Sequence, residues 1–184
     1  MIFASGSGTN AENIIKYFKS NLVGKVVSVF TNNPKAYVIE RAKNLHVPVE
    51  IFTKEDFKES KVLQRIDLIQ PDLIVLAGFL LKFPENIVAA YVDKIINVHP
   101  ALLPKYGGKG MYGMNVHQAI VDNKEKETGI TIHYVNENYD EGNIIFQKKV
   151  AVLISDTPEV VAEKIHCLEQ KYFPLIVEDI LTKI

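Results

Sequence analysis

The chain has 184 residues, 47% of them hydrophobic, and a formal net charge of −1. This is enough for one full hydrophobic core, so we expect residues 1–184 to form a single domain. The low net charge gives no general attraction to polyanions, which favours small-molecule substrates over nucleic acid. Cys167 has no partner for a disulfide, and neither a secretory segment nor an apolar run of spanning length is visible, so we expect a cytoplasmic protein without a membrane role.

Short β-branched runs alternate with helix-like segments over the first hundred residues. Strands are predicted at residues 2–4, 25–31, 47–52, 72–77 and 95–99, and helices at 11–20, 36–44, 55–69 and 85–91. This alternation implies right-handed crossovers and an α/β fold with a mostly parallel, doubly wound (Rossmann-like) sheet. Such sheets bind ligands at the carboxyl ends of their strands.

The pattern changes after Pro100. A loop with four glycines spans residues 106–113, and a helix-like stretch follows it. Strands at 129–136 and 144–153 are separated by a short turn, which predicts a carboxyl-terminal antiparallel hairpin. A long final helix is predicted from Thr157, with Pro158 in its first turn and a bend at Pro174.

A glycine loop at residues 5–10 (Ser, Gly, Ser, Gly, Thr, Asn) lies between the first strand and the first helix. Free backbone N–H groups and the helix dipole favour an anion there. A phosphomonoester would be held by four residues, of which the last two also offer side-chain donors: Ser7, Gly8, Thr9 and Asn10. Alternatively, the loop is a tight turn that needs glycine only for its geometry.

A dinucleotide site is a weaker interpretation of the same loop. Gly6, Gly8 and Ala11 fit the looser dinucleotide fingerprint. That fingerprint expects an acidic residue near the end of the second strand to hold a ribose. The sequence at residues 31–33 is Thr, Asn, Asn, so it favours a terminal phosphate over a pyrophosphate.

Asn97 and His99 form the strongest catalytic candidate pair. Alternation places both side chains on one side of an extended segment, and Pro100 keeps His99 extended. Acyl transfer to an amine needs donors for the oxyanion and a route for the departing proton. Asp140, in the acidic loop 137–142, could supply a carboxylate, although this loop could also be a solvated turn.

Four segments resemble motifs of the phosphoribosylglycinamide formyltransferase family, folate-dependent enzymes of purine synthesis. They are residues 5–10, 76–79 (Leu, Ala, Gly, Phe), 97–104 (Asn, Val, His, Pro, Ala, Leu, Leu, Pro) and 140–142 (Asp, Glu, Gly). The resemblance implies transfer of a formyl group from the co-substrate 10-formyltetrahydrofolate to the amine of 5-phosphoribosylglycinamide. No metal is implied, and we expect a monomer or homodimer.

The resemblance also implies roles for individual residues. Asn97 and His99 would stabilise the oxyanion, while Asp140 would raise the pKa of His99 and help to move protons through bound water. The glycine loop would hold the substrate phosphate, and Glu169, with His166 one helical turn before it, would meet the ribose. The implied folate-binding residues are Lys54, Leu80, Leu81, Lys82, Phe83, Asn97, Val135, Tyr139 and Asp140.

Two features depart from the family pattern, and three histidines lie outside it. Leu81 stands where the family often has an arginine, and the loop at 107–113 is longer than in many relatives. We expect His46 to end a helix and His133 to make a buried hydrogen bond. His117 could approach the site from its helix, although a packing role is favoured.

Other functions remain possible on the sequence alone. Methionyl-tRNA formyltransferase and formyltetrahydrofolate deformylase share the same chemistry, but each carries a further domain for which we expect no room in this chain. A non-catalytic nucleotide-binding module would use only the glycine loop. It would have no need for Asn97, His99 and Asp140 to converge within about one bridging water.

Overall fold

A computed structural model describes residues 1–184, and seven strands in it form one mixed sheet. The strands are β1 (Ile2–Phe3), β2 (Val29–Thr31), β3 (Val49–Ile51), β4 (Ile74–Leu76), β5 (Ile95–His99), β6 (Glu127–Tyr134) and β7 (Ile144–Ala151). Their order is β3-β2-β1-β4-β5-β6-β7, with parallel pairing from β3 to β5 and antiparallel pairing of β6 and β7. The predicted α/β fold with a carboxyl-terminal antiparallel hairpin is confirmed.

Seven helices cover the sheet. They are α1 (Thr9–Lys19), α2 (Val38–Asn44), α3 (Lys54–Lys58), α4 (Lys61–Ile69), α5 (Glu85–Ala90), α6 (Met114–Asp122) and α7 (Pro158–Leu181). One core cluster includes residues of α1, α2, α6 and α7, and the other includes residues of α3, α4 and α5. None of the helices combines the length and the apolar character needed to cross a membrane.

The predicted single helix at residues 55–69 is wrong, because the chain forms two helices there. Thr53 begins α3 through a capping box in which its hydroxyl and the Asp56 carboxylate exchange hydrogen bonds with each other's backbone N–H. Ser60 then adopts a left-handed conformation, with φ of 62°, and separates α3 from α4. The final helix does start after Thr157, whose hydroxyl accepts from the Val160 N–H, and it continues through Pro174.

The sheet reverses its winding between β1 and β4. From β1 the chain moves outward through β2 and β3, and it then returns to place β4 on the other side of β1. A crevice forms at the carboxyl ends of the strands where winding directions diverge in this way. The glycine loop follows β1 and residues 77–83 follow β4, so both segments meet at this crevice.

Candidate active site

A cavity of about 780 Å³ occupies this crevice. Its walls come from the glycine loop, the segments after β4 and β5, the loop between β6 and β7, the glycine-rich loop before α6, and one side of α7. Asn97, His99 and Asp140 all line it, as do Ser7 to Asn10 of the glycine loop. The structure therefore brings the predicted phosphate loop and the predicted catalytic residues to one cavity.

Asn97 and His99 lie at the carboxyl end of β5, two residues apart and therefore on one face of the strand. The antiparallel register pairs Asn97 with His133 and His99 with Thr131 on β6. Asn97 Nδ2 lies 3.2 Å from His133 Nε2 across this ladder. Directly opposed residues on one sheet face have close side chains, so β6 positions the amide of Asn97.

His99 is buried and has a defined tautomer. Its Nε2 lies 2.7 Å from the carbonyl oxygen of Tyr106, which can only accept, so Nε2 carries a proton. Its Nδ1 lies 3.6 Å from Asp140 Oδ2. In the neutral imidazole Nδ1 is therefore the unprotonated nitrogen, and a proton added there would face a carboxylate.

Burial lowers the pKa of His99 below its ordinary value. The Asp140 charge and the hydrogen bond to Tyr106 raise that pKa, but they only partly offset the loss of solvation. Asp140 thus raises the pKa of His99, as predicted, but the larger effect of burial leaves that pKa lowered overall. The resting imidazole is thus neutral at pH 7.

Asp140 lies inside the site and is not a solvated turn residue. Its side chain is 12% exposed, and its Oδ2 accepts a hydrogen bond from the Gly108 N–H at 2.9 Å. Burial opposes its ionisation, but the neighbouring imidazoles of His133 and His99, together with the Gly108 N–H, lower the pKa of Asp140. Asp140 therefore stays ionised beside the two imidazoles.

His133 is a site residue for which the sequence predicts only a buried hydrogen bond. The predicted buried hydrogen bond exists, because its Nδ1 lies 2.8 Å from the Tyr134 carbonyl oxygen. Its Nε2, however, faces both the amide of Asn97 and, at 3.6 Å, Oδ1 of Asp140. Since Nδ1 donates to a carbonyl, the neutral ring accepts at Nε2, and the amide of Asn97 is its donor.

The glycine loop is held from behind by α2. Arg41 Nε donates to the Ser7 carbonyl at 2.9 Å, and the Val38 N–H donates to Gly6. No side chain caps α1, so its first N–H groups remain open to a ligand. At Gly8, φ is 74° and an added Cβ would lie 2.4 Å from Val38 Cγ2, so packing as well as ligand access requires glycine there.

Asn10 connects the glycine loop to α7. Its Nδ2 donates to Glu169 Oε2 at 2.8 Å, and its Oδ1 accepts from Gln170 Nε2 at 2.8 Å. These contacts fix the side chain of Asn10 and direct one of its two Nδ2 protons at Glu169, so the other remains available to a cavity ligand. Glu169 keeps Oε1 unpaired beside the cavity, and His166 Nδ1 lies 3.7 Å from Oε2.

The residues expected to bind folate line the cavity with one exception. Leu80, Leu81, Lys82, Phe83, Val135 and Tyr139 all line it. Phe83 is buried against an aromatic cluster that includes Phe3 and Phe79, so it anchors this wall. Lys54, at the start of α3, is not among the lining residues, so the structure does not bring it to the site.

The remaining two histidines differ from each other. His46 is exposed and lies two residues beyond the end of α2, with φ of 56°, close to the expected helix end. His117 is 5% exposed on α6 and lines the cavity. The structure therefore favours the cavity position for His117 over a purely packed one.

Comparison with known proteins identifies the family. A family model described as formyl transferase matches residues 1–177. The chain belongs to the formyl transferase family. Phosphoribosylglycinamide formyltransferase of Bacillus subtilis (strain 168) is 34% identical over 186 residues, covering 98% of this chain and 93% of that protein.

Other relatives support the same family. The chloroplastic phosphoribosylglycinamide formyltransferase of Arabidopsis thaliana is 37% identical over 96% of this chain, which spans only 63% of that protein's length. A crystal structure of phosphoribosylglycinamide formyltransferase from Bacillus halodurans superposes with a TM-score of 0.89 at 36% identity, covering 99% of this chain and 94% of that one. The fold is therefore common to the family over nearly the whole chain.

Proposed function

We propose that this formyl transferase transfers the formyl group of 10-formyltetrahydrofolate to the amine of 5-phosphoribosylglycinamide. One observation carries the proposal: a single cavity holds an uncapped helix N-terminus suited to phosphate together with Asn97, His99 and Asp140. The names of the Bacillus and Arabidopsis relatives support the same substrate. The net charge of −1 supports small molecules rather than nucleic acid as partners.

The acceptor substrate would bind along the glycine loop and α7. Backbone N–H groups of Ser7 to Asn10, with the Thr9 hydroxyl, would hold its phosphate. The unpaired Oε1 of Glu169 would accept hydrogen bonds from the ribose hydroxyls. His166 lies beside the same carboxylate, which raises the pKa of His166 and so favours its protonated form.

The folate co-substrate would bind between the segment after β4 and the loop between β6 and β7. Leu80 and Leu81 offer apolar surface, and Val135 faces them from the other wall. Lys82 Nζ lies 5.9 Å from the ring centroid of Tyr139, so these two side chains lie close together in the wall of the cavity. With Leu81 in place of an arginine and Lys54 away from the cavity, Lys82 is the cation best placed for a carboxylate tail.

In the proposed reaction the acceptor amine attacks the formyl carbon. A new C–N bond forms, the bond between the formyl carbon and N10 of the folate breaks, and one amine proton is passed to N10. Asn97 has one Nδ2 proton directed at His133, so the other can donate to the oxyanion. Nδ1 of His99 can take up a proton beside Asp140, and the resulting imidazolium adds positive charge to the site.

The proposal is tested by supplying purified protein and 10-formyltetrahydrofolate with three acceptors in turn: 5-phosphoribosylglycinamide, methionyl-tRNA, and water alone. Mass spectrometry of the products and spectrophotometry of the folate measure the transfer. We expect formylated product only with the phosphorylated glycinamide. Formyl-methionyl-tRNA, or release of formate without an amine, would assign one of the alternative reactions.

A pair of asparagine variants separates catalysis from simple binding. Asn97→Ala removes the proposed oxyanion donor, and we expect turnover to fall by about 10²–10³-fold. Asn86→Ala is the matched control, because Asn86 is exposed on α5 and does not line the cavity. Bound substrate with no turnover in the wild-type protein would instead indicate a non-catalytic binding module.

A further inference from the structure

His117 presents a buried polar group that the reaction described above does not use. It lies on α6 next to the buried residue Val116, and its Nδ1 is buried without any hydrogen-bond partner. No other buried side-chain nitrogen or oxygen in the chain lacks a partner. Leaving such an atom unpaired costs stability, so its position needs an explanation.

The two ring nitrogens of His117 have different surroundings. An unpaired lone pair is more easily tolerated in an interior than an unpaired N–H, so Nδ1 is the unprotonated nitrogen. The proton is then on Nε2, which makes no hydrogen bond to the protein and opens to the cavity. Burial lowers the pKa of His117 and so favours the neutral ring, although the charge of Glu169 partly opposes this.

Packing alone does not account for this residue. A methionine or leucine would fill a similar volume at the wall of α6 without leaving a nitrogen unpaired. The histidine therefore keeps an energetic cost at Nδ1, while its Nε2 proton is available to a cavity ligand that accepts a hydrogen bond. His117 lines the same cavity as the proposed ribose contact Glu169 and the catalytic imidazole of His99, and the charges of both act on it.

The surroundings of His117 indicate which group of the acceptor substrate it would contact. If the ribose lies at Glu169 and the amine at His99, the glycinamide linkage must pass between them. The ribose hydroxyls would donate to Glu169, so the acceptor available in this linkage is its amide carbonyl oxygen. We propose that His117 donates a hydrogen bond from Nε2 to the glycinamide carbonyl and so sets the position of the acceptor amine.

This inference rests on the proposed function, and three variants test it. His117→Gln places an amide N–H near the position of Nε2, while His117→Asn places it near Nδ1, and His117→Met supplies only apolar volume. We expect the KM for 5-phosphoribosylglycinamide to rise about tenfold in the Met and Asn variants and by less than about threefold in the Gln variant. The KM for the folate and kcat should change little, because the hydrogen bond forms in both ground and transition states.

Thermal unfolding of the ligand-free proteins gives a readout that a structural role would not produce. We expect the Met variant to have a higher Tm than the wild type, because it removes the unpaired nitrogen. A lower Tm with both KM values raised would show that His117 is structural, and unchanged acceptor KM would show that it does not touch this substrate. A wild-type protein with no activity on this acceptor would reject the proposed function, whereas normal wild-type activity with indifferent variants would reject only the role of His117.

Discussion

The amide of Asn97 and the imidazole of His133 face each other across the β5–β6 ladder, with 3.2 Å between Nδ2 and Nε2. Because the His133 Nδ1 proton is directed at Tyr134, Nε2 is left as an acceptor that fixes which end of the amide points at it. His133 also lies beside Asp140. The acceptor at Nε2 therefore makes His133 a positioning residue for Asn97.

Replacing His133 should impair turnover more than binding. In His133→Leu the amide of Asn97 loses its acceptor, and we expect kcat to fall about 10- to 100-fold with little change in the KM of either substrate. His133→Gln retains an acceptor oxygen and should recover much of that loss. Steady-state kinetics of both variants tests this, and equal kcat in the Leu variant and the wild type would remove His133 from the site.

The role of His133 in the site could not be predicted from the sequence. Period-two alternation places Asn97 and His99 on one side of β5 without knowledge of other strands, so their pairing was predictable. The role of His133 depends on the register of β6 against β5, which a single sequence does not specify. A buried histidine in a strand has the same local pattern whether it packs or positions a neighbour.

Long-range contacts explain the other differences. The Asn10 side chain contacts Glu169, 159 residues away along the chain, and nothing local in the sequence indicates that contact. The loop carrying Asp140 reaches the site through a left-handed conformation, with φ of 57°, that its composition does not require. The sheet, the hairpin and the glycine loop were predictable because their signals lie within a few residues.

The two glycines of the phosphate loop should respond differently to the same change. Gly8→Ala places a Cβ against Val38 in a left-handed conformation, and we expect it to lower the free energy of unfolding by about 1–3 kcal/mol. An added Cβ at Gly6 meets no atom within 4 Å, so Gly6→Ala should fold normally but crowd the bound phosphate. Thermal melts and acceptor KM values distinguish the two, and an unaffected KM in Gly6→Ala would contradict the phosphate assignment.

Chelation should leave turnover intact. The proposed oxyanion is stabilised by the Asn97 amide and by positive charge on the His99 imidazolium, and no group of three or more His, Cys, Asp or Glu side chains is arranged to hold a metal ion. The measurement is the rate before and after dialysis against EDTA. A loss of activity that a divalent ion restores would require a different mechanism.

Mild acid should destabilise the protein through its buried imidazoles. Burial lowers the pKa of both His99 and His117, so below about pH 6.5, the ordinary value, the unfolded chain binds protons that the folded chain does not. Stability contributed by the neutral rings is therefore present above this pH and is lost as pH falls toward the folded pKa values. We expect the wild-type Tm to fall between pH 7.5 and 5.5, and by less in His117→Met. An equal fall in both would exclude His117 as a source of the effect.

Asp140 should control the titration of His99. Asp140→Asn keeps the size and an acceptor for the Gly108 N–H but removes the charge that raises the His99 pKa. The already lowered pKa should therefore fall further, and turnover at neutral pH should drop by roughly 10²–10⁴-fold. Binding of the phosphorylated amine should change much less, because its phosphate and ribose contacts lie at the glycine loop and Glu169.

The measurement is a pH–rate profile for each protein together with NMR titration of the His99 imidazole. Glu141→Gln is the matched control, because this neighbouring carboxylate is exposed and does not line the cavity. The control should leave both the profile and the titration close to those of the wild type, since an exposed charge is screened by solvent. If Asp140→Asn also behaved like the wild type, the buried carboxylate would have no part in proton movement, and the proposed catalytic set would reduce to Asn97 and His99.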